Sequence, residues 1–323
     1  MRPQPRALLR DCEVFTVPEH FSRRGRRHAR PAPRPRLSLS LALVPALGCG
    51  DRLAADCEHG EDESAAALAE RPWLLAIDES DPPEGDGQPV DALIRVRLDP
   101  GHEGEREVLC PSLALPPELP ADTNFTSLVV QGERLYASAL LETWGDTLVE
   151  VDPCTCTASV VGSYGFTQVA GLAAADELGG LFGLAAEGDA LLTIDAANAN
   201  AEALVELGAD WGSNALSPAR TDGAVELYAL DARSDRLYTF RASDGLSMGS
   251  VPLSQPLLTA GLELHPEIER LYACGVEGRE TALYELTPDS GALRMIADGV
   301  FASACDNLAA PSGPIACIPD DFE

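Results

Sequence analysis

A short strand motif with an aromatic residue recurs four times in this chain of 323 residues. The aromatic positions are 46, 46 and 44 residues apart. The aligned copies are Glu133-Arg-Leu-Tyr136-Ala-Ser, Gly179-Gly-Leu-Phe182-Gly-Leu, Val225-Glu-Leu-Tyr228-Ala-Leu and Glu269-Arg-Leu-Tyr272-Ala-Cys. Self-similarity with a period of about 20 to 50 residues is typical of proteins that repeat one supersecondary unit. We therefore predict a chain built from copies of a single unit.

Each copy has the signature of four antiparallel strands. A small apolar strand precedes the aromatic motif, as in Ser127-Leu-Val-Val130, and a second alternating strand follows it after a short turn, as in Asp146-Thr-Leu-Val-Glu-Val-Asp152. A more polar strand such as Ala158-Ser-Val-Val161 completes the unit. Short alternating runs separated by turn formers indicate an all-β fold. A four-stranded repeat with a small apolar inner strand predicts a β-propeller of antiparallel blades.

The copies predict a ring of five blades within residues 71–323. Whole units occupy roughly 125–166, 167–212, 213–258 and 259–302, and strands at 73–78, 91–97 and 107–110 form a fifth unit that lacks its inner strand. The C-terminal segment 304–310 has the pattern of that missing strand, so we expect the two ends of the chain to close the ring. Six blades is the alternative, because residues 314–318 have the composition of a further strand.

The Leu-Tyr-Ala motif, followed by a strand that ends in Asp and a turn such as Asp152-Pro-Cys-Thr155, resembles the blades of YncE-like and quinoprotein-like bacterial propellers. This resemblance covers about residues 71–318 and concerns architecture. It implies that the repeated Tyr or Phe fills the space between neighbouring blades. It brings no catalytic residues, because such motifs serve packing.

Residues 1–49 have the features of an export leader. Several arginines precede the uncharged run 37–48, which is too short to anchor a bilayer but suits a signal peptide. Ala46-Leu47-Gly48-Cys49 is similar to a bacterial lipobox and predicts lipidation at Cys49. Acidic residues 50–70 then form a tether. We expect an exported protein in the periplasm, on the outer membrane as a lipoprotein, or at the cell surface.

Nine cysteines also favour an oxidising compartment. Seven of them follow Cys49, so at least one is expected to stay free or to pair outside the chain. Cys154 and Cys156 have the spacing of half a metal or redox site, although disulfide bonding is the favoured interpretation. Cys305 and Cys317 flank a predicted turn and are the first disulfide pair that we expect.

The charge of the chain narrows its partners. Residues 1–49 hold ten arginines and three acidic residues, which leaves 13 arginines and 49 acidic residues, a net charge of −36, for residues 50–323. Such a surface repels nucleic acid and anionic lipid, so contact with a membrane is expected only through a lipid anchor. It attracts cations and basic partners. The chain has no lysine, which excludes Schiff-base chemistry.

Two motifs are candidates for chemistry. The acidic loop with Asp78, Asp81, Glu84 and Asp86 offers oxygen ligands for Ca²⁺, although its spacing is not that of an EF-hand and a solvated loop is the simpler interpretation. Gly245-Leu-Ser247-Met-Gly249 matches a nucleophile elbow, but it lies between two predicted strands where an elbow needs a following helix. We predict no catalytic residue and no cofactor besides this calcium candidate.

The sequence favours a monomeric, non-catalytic propeller that presents one loop-covered face to a protein, peptide or glycan. The alternative is a propeller hydrolase or lyase of the lactonase kind, with a divalent cation at the central channel. Fold alone does not separate these functions, because propellers host many of them. The side chains that line the channel are the deciding observation.

Overall fold

The computed structural model of the chain describes residues 72–80, 90–121, 123–141, 146–208, 211–212, 214–221, 224–277, 280–302 and 305–319. The predicted leader with Cys49 and the predicted tether lie outside these residues. In chain order the strands are β1 (Trp73–Ser80), β2 (Val90–Arg97), β3 (Arg106–Cys110), β4 (Asn124–Gln131), β5 (Arg134–Leu140), β6 (Thr147–Asp152), β7 (Thr157–Ser163), β8 (Val169–Ala175), β9 (Gly180–Ala185), β10 (Ala190–Ile194), β11 (Ala201–Glu206), β12 (Asn214–Thr221), β13 (Ala224–Asp231), β14 (Arg236–Arg241), β15 (Ser247–Pro252), β16 (Gly261–His265), β17 (Arg270–Glu277), β18 (Glu280–Thr287) and β19 (Ala292–Asp298).

The strands form five antiparallel sheets that are the blades of a propeller. Blade one is β4–β7, blade two β8–β11, blade three β12–β15 and blade four β16–β19, each with its strands in sequence order from the axis outward. The closing blade is the three-stranded sheet β1–β3 together with the C-terminal segment. Helix within the described ranges is limited to the three-residue 3₁₀ turn Asp176–Leu178, and no helix there is long and apolar enough to cross a bilayer.

The sequence repeat is matched by a register shift that recurs in every blade. In all five blades the register between the two outermost strands shifts by one residue, at Leu148/Val149 in blade one and at Leu283/Tyr284 in blade four, for example. The corresponding shifts in the other blades are at Leu191/Leu192, Thr239/Phe240 and Leu93/Ile94. A β-bulge increases the local twist of a strand pair. The outer strand of every blade is therefore turned in the same way.

The core consists of apolar layers between consecutive blades. Tyr136 of blade one packs with Leu172 and Leu181 of blade two, and Tyr272 of blade four packs with Leu74 of the closing blade. These aromatic residues are buried, as the repeat predicts, because alternate side chains of a strand point to opposite faces of its sheet. Tyr228 differs, since it is only half-buried.

Crowding at the axis requires small residues on the inner strands. Ser127, Gly171, Ala215, Gly261 and Asn307 occupy equivalent positions in the five blades. A Cβ atom added at Gly171 would lie 2.9 Å from the backbone nitrogen of Leu216 in the next blade. One added at Gly261 would lie 2.9 Å from the backbone nitrogen of Asn307. The inner strands of neighbouring blades therefore touch through their backbones, which keeps the channel narrow.

Both ends of the chain close the ring, as predicted. The backbone of Leu75 in β1 exchanges two hydrogen bonds with Ala309, of 2.8 and 2.9 Å. The side chain of Asn307 extends this pairing, because its Oδ1 accepts from the amide of Ile77 at 2.6 Å and its Nδ2 donates to the Ile77 carbonyl at 3.0 Å. Residues 314–318 form turns and not a strand. The blade count is therefore five, and the alternative of six is wrong.

Three disulfides lie at the joints of the closing blade. They are Cys110–Cys156, Cys154–Cys317 and Cys274–Cys305. The predicted Cys305–Cys317 pair is wrong, although both residues are disulfide-bonded. Cys305 begins the inner segment of the closing blade and faces blade four, whereas Cys317 lies against blade one. Cys154 and Cys156 bind different partners, which rules out a shared metal or redox pair in this structure.

Residues 311–319, which follow the inner segment, lie against the closing blade. We call them the strap. Ile315 and Ile318 are buried in the layer between the closing blade and blade one. The fully buried Arg95 donates a hydrogen bond to the Pro319 carbonyl, pairs with Glu107, and lies over the Trp73 ring with 5.5 Å to its centroid. A buried guanidinium is tolerated where its N–H groups make hydrogen bonds and its planar face stacks on an aromatic ring.

The tight axis predicts a specific cost for enlarging Gly171. We expect Gly171→Ala to lower the free energy of unfolding by about 1–3 kcal/mol, because the backbone of Leu216 must move to admit the methyl group. The measurement is urea unfolding. Gly180→Ala in the same blade is the matched control, since its Cβ meets only the Ile194 carbonyl oxygen at 3.6 Å. Equal stabilities of the two variants would contradict the close approach.

The strap predicts the effect of removing its disulfide. Cys154 and Cys317 are 163 residues apart, so their bond closes a long loop in the unfolded chain. We expect Cys154→Ser with Cys317→Ser to lower the free energy of unfolding by about 2–4 kcal/mol in non-reducing buffer. Guanidinium unfolding of the double variant and the wild type measures this. Coincident midpoints would show that the strap adds nothing to the ring closure.

Candidate functional site

Of the four residues predicted as calcium ligands, the structure describes Asp78. It places Asp78 where the closing blade meets blade four. Asp78 is buried, and its carboxylate accepts hydrogen bonds from the Ala302 amide at 2.9 and 3.1 Å and lies 3.0 Å from the Arg106 guanidinium. Its carboxylate thus ties β1 to the segment that follows blade four. Asp81, Glu84 and Asp86 lie outside the described residues, so the calcium site stays a prediction.

The described ranges contain no group of three or more His, Cys, Asp and Glu side chains placed to hold a metal ion. The G-x-S-x-G motif is also accounted for. Ser247 begins β15 directly after a turn at Gly245, and a strand follows it where an elbow needs a helix. Neither motif chosen from the sequence therefore assembles a reactive centre among these residues.

A pocket of about 410 Å³ lies at one mouth of the central channel. Its floor is made by five equivalent residues, one from the inner strand or segment of each blade. These are Val130, Ala174, Pro218, Leu264 and Ala310. A propeller brings the same end of every inner strand to one point, so a pocket at this mouth is a direct consequence of the ring. We call it the channel-mouth pocket.

The channel-mouth pocket extends outward between blades three and four. Tyr228 of blade three and Glu269 and Arg270 of blade four belong to its lining, and the Tyr228 ring is only half-buried there. The Arg270 guanidinium lies 3.6 Å from the Glu285 carboxylate, which also pairs with Arg294 outside the pocket. With Glu177 and Glu263, the pocket is lined by four glutamates and one arginine.

Glu263 is the unexpected residue of this site. It takes the place held by Val129, Ala173, Ser217 and Ala309 in the other blades, and 6% of its surface is exposed. Its Oε1 accepts from the Ala310 amide at 3.3 Å, and the Ser217 hydroxyl also hydrogen-bonds its carboxyl. Burial raises the pKa of Glu263 well above its usual value against these two bonds. Burial therefore favours the protonated form of this side chain.

His265, two residues later, is also buried. Its Nδ1 accepts a hydrogen bond from the Glu267 amide at 3.4 Å, which leaves the proton on Nε2. Nε2 makes no hydrogen bond of ordinary geometry, although the nearby Trp73 carbonyl favours the charged ring. Burial outweighs that carbonyl and lowers the pKa of His265 to about 4. The imidazole is therefore neutral at physiological pH.

Glu263 and His265 escaped the sequence analysis for a physical reason. Both lie on the apolar inner strand of blade four, where the pattern predicts core. A signal was present, because Gly261-Leu-Glu-Leu264 places a carboxylate where the other copies have apolar or small side chains. A charged residue in a strand that must be buried on both faces indicates either a paired charge or a raised pKa.

The raised pKa of Glu263 predicts a stability difference with a defined sign. The unfolded carboxyl ionises near pH 4.5, so folding at higher pH requires proton uptake and costs free energy. Glu263→Gln removes this cost. We expect the variant to exceed the wild type by about 1 kcal/mol or more at pH 7, with the smallest difference near pH 4. Urea unfolding between pH 4 and 8.5 measures it.

Glu269→Gln is the control for this experiment, because Glu269 is an exposed glutamate of the same pocket. The control is expected to follow the pH dependence of the wild type. A wild type more stable than Glu263→Gln at pH 7 and above would mean that Glu263 is held ionised, contrary to the burial argument.

No protein-family model matches the sequence, and no curated protein is similar to it. Solved structures share its architecture at low identity. One is a chain of the nidogen/laminin complex, with a TM-score of 0.47 and 10% identity over 74% of this chain and 98% of that chain. Another is TolB from Acinetobacter baumannii, with a TM-score of 0.43 and 11% identity, covering 70% of this chain and 53% of that chain.

Glutaminyl cyclase from Myxococcus xanthus is similar at a TM-score of 0.40 and 16% identity, over 59% of this chain and 72% of that chain. The chain therefore spans about half the length of TolB and most of the length of the other two. These neighbours differ in what they do. Likeness at this level concerns the fold, and no functional conclusion follows from it.

Proposed function

We propose that this protein is an exported, non-catalytic propeller that binds a protein or peptide with basic side chains in its channel-mouth pocket. One observation carries the proposal: a pocket of about 410 Å³ at the axis, lined by all five blades and by four glutamates with one arginine. Ligand pockets in proteins commonly have about 300–1,000 Å³ and combine apolar walls with a few polar groups.

The charge of the pocket favours a basic ligand. Glu177, Glu269 and Glu285 lie on the same lining as Arg270, and burial raises the pKa of Glu263, the fourth glutamate of the lining. The tether and the propeller together, residues 50–323, carry a net charge of −36. Complementary fields steer oppositely charged ligands and raise association rates. An arginine or lysine side chain of a partner fits this field.

The apolar walls favour a side chain with an aliphatic stem. Leu264 and Ala310 form the floor, and Pro266 and Pro288 are placed at the sides. Arginine and lysine bury their methylene groups against apolar surface while the charged group reaches polar partners. The Tyr228 ring adds a face on which a guanidinium can stack.

Export is supported by the three disulfides. Such bonds persist in oxidising compartments and are rare in the cytosol of mesophiles. The proposal retains the leader, the lipidation of Cys49 and the tether of residues 50–70, which together would hold a monomeric propeller close to a membrane. The motif that resembles YncE-like and quinoprotein-like propellers agrees with a bacterial envelope protein of this kind.

A second candidate function is acid catalysis in the same pocket, by a hydrolase or lyase of the lactonase kind. The observation that favours it is Glu263, a buried carboxylic acid with a raised pKa on the pocket lining. Such groups are typical proton donors in enzymes. Glu263→Gln separates the two functions, because it removes a proton donor and leaves the charged rim in place.

The binding proposal is tested with a random peptide library displayed against the propeller. We expect enrichment of peptides with arginine or lysine, and affinities that fall as the salt concentration rises. Glu269→Arg is expected to weaken the selected peptides about tenfold or more, because it reverses a charge on the pocket wall. Fluorescence anisotropy of labelled peptides measures the affinities.

Glu133→Arg is the matched control. Glu133 precedes Arg134 and Leu135 in blade one as Glu269 precedes Arg270 and Leu271 in blade four, but it is not part of the pocket lining. It is expected to leave the affinity unchanged. Enriched peptides without basic residues, equal effects of the two substitutions, or binding to glycans alone would overturn the proposal.

A further inference from the structure

A second cavity lies at the opposite end of the channel, between blades one and two. It has a volume of about 570 Å³ and is lined near the starts of β4 and β8, where Thr126, Gln168 and Ala170 are found. Asp146, at the start of β6, and Glu187, after β9, complete its polar lining. We call it the basal cavity. It shares no residue with the channel-mouth pocket.

Asp146 leaves one carboxylate oxygen without a partner. The residue has no exposed surface, its Oδ2 accepts from the Val169 amide, and its Oδ1 makes no hydrogen bond of ordinary geometry, although the Leu141 amide acts on the carboxylate. A buried, unpaired acceptor costs free energy, so such an atom on the wall of a cavity indicates a missing donor. Burial raises the pKa of the nearby Tyr164 hydroxyl, with the Ser138 side chain opposing this and the Asp146 charge adding to it, and this hydroxyl makes no hydrogen bond of ordinary geometry.

Comparison with the other blades shows how this carboxylate differs. Asp189 has the equivalent position in blade two, and its carboxylate accepts from the Trp211 amide at 3.0 Å as that of Asp146 accepts from Val169, but Asp189 is only half-buried and is not part of the basal cavity lining. The corresponding Asp235 of blade three also has an unpartnered Oδ1, but it is not part of the basal cavity lining. Only Asp146, of these three, therefore combines an open acceptor with the space for a ligand in the basal cavity.

The lining of the basal cavity calls for a cationic donor. Glu187 accepts a hydrogen bond from the Thr167 hydroxyl, and its charge acts on Asp146. Burial, together with the Glu187 charge, raises the pKa of Asp146 to about 6 against the amides of Val169 and Leu141. The described lining contains two carboxylates and no Arg or His, while Leu140, Ala170 and Ala186 supply apolar surface.

An organic cation fits this lining better than a metal ion. Calcium takes about six to eight oxygen ligands, whereas the described residues offer no group of three acidic, His or Cys side chains for a metal. An ammonium group needs only a few acceptors, and an aliphatic chain attached to it can cover the apolar wall. We propose that the basal cavity binds a primary ammonium group on an aliphatic chain, which donates to Oδ1 of Asp146 and pairs with Glu187.

The test uses the full chain with 1,5-diaminopentane as the probe, in calorimetric titration and thermal unfolding. We expect saturable binding and a rise in melting temperature, because a ligand of the folded state alone stabilises it. Affinity is expected to rise about tenfold from pH 5 to pH 7.5, since ionised Asp146 is the acceptor and its pKa is about 6. 1-Pentanol, which lacks the charge, is expected not to bind.

Asp146→Asn is expected to abolish binding, and Asp235→Asn, at the equivalent position of blade three, to leave it unchanged. If Asp146→Asn does not fold, Glu187→Gln replaces it, because Glu187 is exposed and its loss is expected to weaken binding several-fold. A lysine-containing peptide in place of the diamine distinguishes a protein side chain from a free amine as the source of the group, and binding of either supports the site.

Three results would overturn the inference: equal binding of 1-pentanol, displacement of the diamine by low concentrations of Ca²⁺, or unchanged affinity in the Asp146 or Glu187 variant. A failure of the peptide library at the channel-mouth pocket is independent of these results. Glu269→Arg alters only that pocket, and Asp146→Asn alters only the basal cavity.

Discussion

The pairing of Leu75 with Ala309 is the contact on which the whole ring depends, because it joins strands from opposite ends of the propeller. Every other blade is built from consecutive strands and folds from local contacts, whereas this joint brings together residues more than 200 positions apart. Loop closure of that length has a large entropic cost. All three disulfides lie at the joints of the closing blade, and the buried Arg95 holds the strap beside it. The disulfides therefore lie at the joints where closing the ring costs the most conformational entropy.

Closure with only five blades makes the axis narrow, and this constraint decides where polar groups occur. At the level of Gly171 and Gly261 the backbones of neighbouring inner strands touch, and no large side chain fits. Two residues further along the inner strand from Gly261, Glu263 fits because Ser217 and the Ala310 amide supply hydrogen bonds. Cavities open only beyond the crowded level, at the two mouths. The channel-mouth pocket and the basal cavity are therefore separate sites by construction, each with its own buried carboxyl group of raised pKa.

Much of the fold was predictable from the sequence, because the repeat states the same strand pattern four times. The spacing of Tyr136, Phe182, Tyr228 and Tyr272 predicted the blades, and the absence of an inner strand from the fifth unit predicted closure by residues 304–310. Disulfide pairing was not predictable, since it depends on which joints the C-terminal strap crosses: Cys305 and Cys317 are near in sequence and reach different blades. The candidate sites could not be predicted either, because residues at equivalent positions of the repeat look alike in sequence. Asp146 has the same motif position as Asp189 and Asp235, and only the space beside it differs.

In a repeat protein the shared positions serve packing, so differences between copies are where a specific function can be located. Glu263 breaks a series of small or apolar residues on the inner strands, and Tyr228 is the aromatic repeat residue that remains half-buried. Both lie on the channel-mouth pocket. Asp146 is the copy of its motif that lines the basal cavity and has a buried carboxylate oxygen without a hydrogen bond of ordinary geometry. At both mouths, the residues that depart from the repeat add hydrogen-bond acceptors and few donors. An excess of acceptors in buried places, in a chain whose residues 50–323 carry a net charge of −36, is chemically consistent with partners that bring positive charge.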